Sequence, residues 1–346
     1  MEQQSFHLSK TLIQSVAHLL KEQFAFVLFN APFSSNFHLI IDQKEVNGEQ
    51  FCLHSFDDLV HIEIKGEMLT NEAIDRVLQL KNSKPLKVVQ VASADYLSQN
   101  EYEDYVMKII QSIQQGKLSK CVAARKKKVA LNLSFNVGEA FVELSSKYEN
   151  AFCYLANSKA GLWMGATPEL LLHKKENRYF TVALAGTKLA KEQRDWTVKE
   201  REEHQIVVDY IKQTIQNNGF QVAETSPVFD GVYGHLLHLK MELNFYASRS
   251  LHQELHPTPA VCGIPVDKAK DIILQNEGPS RSLYAGYLGL EGEHASYYVN
   301  LRCMQLFKDH ADLYIGAGIT AESDPEKEWL ETEAKSKVMG ELLQNL

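Results

Sequence analysis

Cysteine is scarce in this 346-residue chain: five residues, at 52, 121, 153, 262 and 303, with no Cys-x-x-Cys spacing among them. An odd, scattered set excludes a disulfide framework and a zinc ribbon and fits a reducing compartment. Long apolar runs are also missing, and none approaches the roughly 20 residues that a membrane-spanning helix needs. The opening "MEQQSFHLSKTLIQSVAHLL" has an acid in second place and no continuous apolar core, so no signal peptide is expected. Nor is there an excess of base: 36 Lys and Arg against 44 Asp and Glu give a net charge of -8. That balance argues against nucleic acid or an anionic membrane as the main partner. Repeats, low-complexity tracts and Pro/Gly/Ser linkers are absent, as are P-loop and dinucleotide glycine spacings. The expectation is a soluble, cytoplasmic protein, with 45% apolar residues to build a sizeable core.

What is present is an alternation of strand-like and helix-like segments along the whole length. "FAFVLF", "FHLII" and "LVHIEI" read as strands, and "NEAIDRVLQL" as a short helix. "YLSQNEYEDYVMKIIQSIQQG" is a long amphipathic helix closed by Gly116. "KCVAARKKKVAL" alternates as a strand, "FNVGEAFVELSSKY" returns to helix, and residues 151–188 are strand-rich. Another helix is predicted over about 198–217. The stretch from Arg281 to Ile319 reads as successive antiparallel strands joined by glycine-containing turns. Strands spread over the full length predict one large α/β body over residues 1–346 rather than separate domains.

Two helices carry charge on the wrong face. After Asp324-Pro325, or a Ser323/Glu326 capping box, Glu328, Glu331 and Lys335 fall at i, i+3 and i+7 on one face. The same stripe continues to Val338, Met339 and Leu342, residues that a helix buries. In "VKEREEHQIVVDYI", Glu200 and Glu203 likewise run into Val207 and Tyr210. One such pair is usually a solvated helix end. Two in one chain point inward to a compensating cation, and oxygen donors without a His or Cys cluster suit a hard ion such as Mg²⁺. The spacing reaches a Mg²⁺-dependent site for an anionic ligand and stops there.

Other residues offer chemistry. Thr167-Pro168-Glu169 forms a rigid turn between two strand-like runs, either an exposed acid or one held ready for proton transfer. Lys120 opens a strand; if enclosed, desolvation lowers its pKa and makes it a candidate base. The Lys126–Lys128 run is expected to be a solvated strand end. Gly186-Thr187 and Gly316-Ala317-Gly318 offer bare backbone for close approach. Arg302 could grip a carboxylate with two hydrogen bonds, and His238 reads as a hydrogen-bonded core histidine.

Together "KLSKCVAAR", "GATPELLL", "LAGTK", "KEREEH", "LHPTPAVCGIP", "RSLYAGYLG", "VNLRC" and "GAGITAESDPEKEWLETEAK" resemble the chorismate-utilising enzymes, in family order. That family includes isochorismate, salicylate, anthranilate and aminodeoxychorismate synthases. The likeness covers residues 111–346; residues 1–110 match only weakly as part of the same body. It implies two large, mostly antiparallel sheets packed face to face with helices outside, chorismate as substrate and Mg²⁺ as cofactor. Carried over by motif, Glu203 and Glu331 are metal ligands supported by Glu200 and Glu328. Tyr284 and Arg302 contact the enolpyruvyl carboxylate. Gly316 and Gly318, with Lys335, hold the substrate carboxylates, and Gly186, Thr187 and His238 line the ring.

The resemblance also implies a branch. Lysine at position 120 is typical of members that add water to the ring, with Lys120 as base and Glu169 as acid. Isochorismate synthase, an isomerase serving menaquinone or siderophore biosynthesis, is therefore the leading expectation. Salicylate synthase and aminodeoxychorismate synthase are rivals, and a non-catalytic chorismate-binding subunit is the alternative from another class. A monomer without an obligate glutaminase partner is expected. Two departures from the family pattern stand out. Cys262 replaces a small residue, and the segment between Thr187 and Lys199 is short and lacks the usual Pro-Arg-Gly.

Overall fold

A computed structural model of the chain describes residues 2–43, 46–88, 96–233, 236–277 and 281–344. Side chains are described for all of these except 2–7, 72, 187, 233, 236, 338 and 344. Among the described residues, all strand pairs are antiparallel and lie in two sheets. The first sheet runs Gly263–Ile264, Lys120–Ala130, His310–Ile319, Cys303–Leu306, Gly161–Thr167, Phe152–Ser158, Phe26–Asn30, Phe37–Ile41, Met68–Thr70. The second runs Val222–Thr225, Leu236–Tyr246, Arg178–Leu189, Leu170–Lys175, Ser296–Val299, Tyr287–Leu290, Glu49–His54, His61–Gly66, with Phe229–Tyr233 paired to Leu236–Tyr246. Each sheet takes strands from both ends of the sequence. The two-sheet architecture implied by the motifs is the one observed.

Period-two alternation explains the layering, because successive strand residues face opposite sides. In the strand Phe152–Ser158, Phe152, Tyr154 and Ala156 join one core, which also holds Phe51, Leu172 and Tyr179 of the second sheet. Cys153 and Leu155 join another, with Leu12, Phe141, Leu342 and Leu343 of outer helices. The first sheet is therefore buried on both faces. Among the described residues, no helix is long and apolar enough to cross a membrane.

Caps place the helices. Ser98 and Glu101 form a capping box for Gln99–Gln114, which ends at Gly116 with φ +70°. Thr197 and Glu200 do the same for Val198–Asn217. For Pro325–Gln344, Asp324 accepts the Lys327 N–H at 3.0 Å, while Ser323 accepts from Thr320 N–H instead of forming a box. "NEAIDRVLQL" folds as a 3₁₀ helix over Asn71–Gln79.

Two expectations need correcting. The Lys126–Lys128 run is solvated only at Lys128: Lys126 is buried beside the Tyr96 ring and Lys127 is half-buried and pairs with Glu333 at 2.6 Å. The helix Pro325–Gln344 covers that part of the strand, which a reading of the strand alone cannot show. Nor do the successive antiparallel strands expected over Arg281–Ile319 all pair with their neighbours in sequence, although two of the pairs do. Ser296–Val299 and Cys303–Leu306 lie in different sheets, and the chain crosses between them at residues 300–302.

One buried ion pair ties the strand Lys120–Ala130 to its surroundings. Arg281 donates to both Glu277 oxygens, at 2.6 and 2.7 Å, and to the carbonyls of Val122 and Val261, each at 2.7 Å. Glu277 also accepts from Ala124 N–H at 2.8 Å and from Tyr105 O–H at 3.0 Å. Removing one member leaves the other charge buried alone. Arg281→Leu is expected to lower unfolding free energy by about 3–5 kcal/mol in denaturant titration, and Arg281→Leu/Glu277→Leu by clearly less. Equal losses in the two variants would show that the pair itself is not the stabilising unit.

Candidate active site

Where the two glutamate-bearing helices meet the end of the strand Lys120–Ala130, a cavity of about 390 Å³ opens. Lys120, Glu169, Gly186, Glu200, Glu203, His238, Tyr284, Arg302, Gly316, Gly318, Glu328, Glu331 and Lys335 all line it. Thr187 continues the strand beyond Gly186, and its side chain lies outside the described residues. Segments far apart in sequence thus converge on one space.

Two passages between the sheets set its frame. The chain leaves the first sheet after Thr167 and enters the second at Leu170, with Glu169 in between. It returns from Val299 to Cys303, with Arg302 in between. The passages are stitched together. Glu169 O accepts from Val299 N–H at 2.9 Å, Arg302 O from Ala166 N–H at 3.1 Å, and the Thr167 hydroxyl donates to Val299 O. Glu169 is therefore an enclosed acid, 8% exposed, rather than a solvated turn residue.

Lys120 is 5% exposed, and burial pushes its ammonium pKa down, opposed by the nearby Glu203 carboxylate. Burial pushes Glu169 up to about 7, opposed by the positive fields of Lys120 and Arg302. Desolvation therefore drives both towards neutrality, a lysine able to take a proton and a carboxylic acid able to give one.

Glycine makes the part of the wall that lies under Lys120 and Tyr284. Gly316 and Gly318 pair with Ala124 and Val122 across the strands. A Cβ on Gly316 would lie 2.7 Å from the Tyr284 hydroxyl, and one on Gly318 would lie 3.2 Å from Lys120 Cε. Bare backbone is needed here because both side chains lie over it. Gly186 has φ +71°, and its carbonyl accepts from His238 Nδ1 at 2.9 Å. Burial, aided by the Arg302 charge, lowers His238 to about 4, so the ring is neutral.

The inward charges are accounted for. Lys335 donates to Gly316 O at 3.0 Å and pairs with Glu331 at 2.7 Å, holding that carboxylate below its usual range. Glu331 remains 48% accessible because it borders the cavity. Burial raises Glu328. Glu200, expected to support an ion, is held by Arg194 through two 2.8 Å hydrogen bonds and also caps its own helix, which lowers it to about 2. Glu203 and Glu331 thus contribute one carboxylate from each helix to the same cavity, a donor set that fits a hard cation. Among the described residues, no three His, Cys, Asp or Glu groups could hold an ion by themselves. Water and ligand oxygens would have to complete the shell, as magnesium prefers.

Sequence reasoning missed Lys199, which lines the cavity, and Arg194, which engages Glu200. Lys199 and Glu203 are spaced i, i+4, a signal that could have found the first. Nothing local marks the second.

The chain matches the family described as chorismate binding enzyme over residues 49–344. It is 29% identical over 299 residues to isochorismate synthase MenF of Haemophilus influenzae, covering 80% of this chain and 69% of that protein. It is 30% identical over 258 residues to a putative isochorismate synthase of Aeromonas hydrophila, covering 69% and 65%. The matched stretches span about two thirds of these relatives' own length. The putative 2,3-dihydroxybenzoate-specific isochorismate synthase of Bacillus anthracis superposes with a TM-score of 0.78 at 20% identity, over 97% of this chain and 99% of that one.

The raised Glu169 pKa has a consequence for stability. Between about 4.5, its unfolded value, and about 7, the native state binds the extra proton, so stability falls as pH rises through that window. Glu169→Gln lacks this loss. Its unfolding free energy is expected to match wild type near pH 4.5 and to exceed it by roughly 2–3 kcal/mol at pH 8. A difference independent of pH would contradict the assigned shift.

Proposed function

The chain belongs to the chorismate-binding enzyme family, and from that membership and the opposed pair Lys120–Glu169 we propose that it is an isochorismate synthase. The carrying observation is that one cavity encloses a lysine pushed down and a glutamic acid pushed up to about 7. An isomerisation that adds hydroxyl at one ring carbon and removes it from another needs that combination. The names of the relatives support the same reading.

In the proposed reaction, neutral Lys120 takes a proton from water as its oxygen bonds to ring carbon two. The two ring double bonds shift, and the carbon–oxygen bond at carbon four breaks. Glu169 delivers its proton to the departing hydroxyl, which leaves as water. One water enters and one leaves, and the proton gained by Lys120 returns to Glu169 through solvent between turnovers. Tyr284 and Arg302 hold the enolpyruvyl carboxylate, while the backbone at Gly316 and Gly318, with Lys335, receives the ring carboxylate. Gly186, Thr187 and His238 line the ring. A magnesium ion held by Glu203 and Glu331, with Glu200 and Glu328 supporting them, would neutralise the ring carboxylate. The product would supply menaquinone or siderophore assembly, and the chain acts on a small molecule without a glutaminase partner.

Purified protein with chorismate and Mg²⁺ is expected to yield isochorismate by chromatography, without ammonia. Lys120→Ala and Glu169→Gln should each cut kcat by about 10²–10⁴-fold while near-ultraviolet circular dichroism stays native. Near-normal turnover in either variant would refute the acid–base assignment. Release of salicylate and pyruvate would move the protein to the salicylate-forming branch.

A further inference from the structure

The passage through residues 300–302 contains Asn300, which lies in the "VNLRC" stretch but has no role in the sequence reading. Asn300 is 0% exposed, and all four of its polar groups are engaged. Its side-chain Nδ2 donates to Leu283 O at 2.8 Å, and its Oδ1 accepts from Tyr154 O–H at 2.7 Å. Its backbone N–H donates to Gly286 O, and its carbonyl accepts from Ala285 N–H, each at 2.8 Å. Three of the four bonds therefore clasp the turn 283–286, which carries Tyr284. Two residues further along its own chain stands Arg302.

Both segments need holding. Ser282, Ala285 and Arg302 have φ of +52°, +58° and +47°, the left-handed region that side chains avoid unless their surroundings impose it. His256 adds a bond from Nε2 to Ala285 O at 2.8 Å, but it touches only one of the two segments. Asn300 belongs to one and grips the other. Tyr284 and Arg302 both line the cavity, so a change in this clasp alters their mutual position.

We propose that Asn300 is a positioning residue that sets the spacing of the Tyr284 hydroxyl and the Arg302 guanidinium, and so the grip on the substrate's enolpyruvyl carboxylate. The inference rests on the reading of these two side chains as carboxylate contacts. That carboxylate belongs to the side chain on carbon three, and none of its own bonds change in the reaction. Loosening its grip weakens the bound substrate and the transition state together, which raises KM more than it lowers kcat.

Asn300→Asp is nearly isosteric. It keeps an acceptor for Tyr154 and places an oxygen, not an N–H, against Leu283 O. KM for chorismate is expected to rise about tenfold or more, with kcat within about threefold. In the variant's crystal structure, the Tyr284 hydroxyl should have left its place over Gly316. Asn300→Ala should show the same split. Asn157→Ala is the control, since that buried amide donates to Phe24 O at 2.7 Å away from the cavity. It should lower Tm and leave KM unchanged. Asn300 variants with wild-type KM, or with losses that track Tm as in Asn157→Ala, overturn the proposal, as does failure of both Asn300 variants to fold. If wild-type protein neither binds nor converts chorismate, the functional reading fails by itself. The crystallographic positions of Tyr284 and Arg302 in Asn300→Asp then decide the positioning claim, and an unmoved pair ends it.

Discussion

The pairing of Arg281 with Glu277 inside the protein is the interaction on which the site's frame rests, because it fixes the backbone of the strand that carries Lys120. An ion pair out of water holds only when hydrogen bonds satisfy its remaining oxygens and protons. Here the carbonyls of Val122 and Val261, the Ala124 N–H and the Tyr105 hydroxyl do so. At Lys120 on the same strand, and at Glu169 on the crossing after Thr167, the rule produces the opposite result. Burial is not offset there by a comparable ion pair, and desolvation drives both towards their neutral forms. Fixed charge anchors the wall, and suppressed charge marks the two groups proposed to react.

A second constraint comes from having two sheets. The chain must cross between them, and a crossing interrupts regular pairing. The structure places its acid at one crossing and Arg302 at the neighbouring one, then stitches the two through Thr167, Val299 and Ala166. Backbone in the left-handed region at Ala285 and Arg302 is part of the same geometry. Such conformations persist where surrounding hydrogen bonds impose them, and these lie where side chains must converge on a ligand.

Much of this was legible beforehand. The cap at Asp324 and the stripes at Glu328–Glu331 and Glu200–Glu203 are local signals, and they located both helices and the faces they turn inward. The eight motifs in order named a family, and the family supplied the two-sheet fold. What escaped was non-local. Lys126 and Lys127 read as solvated, yet the Tyr96 ring lies beside the first and Glu333 of the last helix pairs with the second. Asn300 reads as no more than a member of "VNLRC", yet it fastens two segments of chain. A hydrogen bond between residues far apart in sequence leaves no periodic trace.

The sequence by itself determined which elements form, which helix faces carry carboxylates, and that Lys120, Glu169, Tyr284 and Arg302 are available. These depend on propensity, capping and spacing, all properties of neighbouring residues. Only the tertiary structure decided which charges keep their charge. That depends on what surrounds a group once water is gone, and the enclosing atoms come from both sheets and both glutamate helices. The same lysine on an exposed strand end would be an ordinary cation. Enclosed beside Glu203, Glu169 and Gly318, it becomes a candidate base.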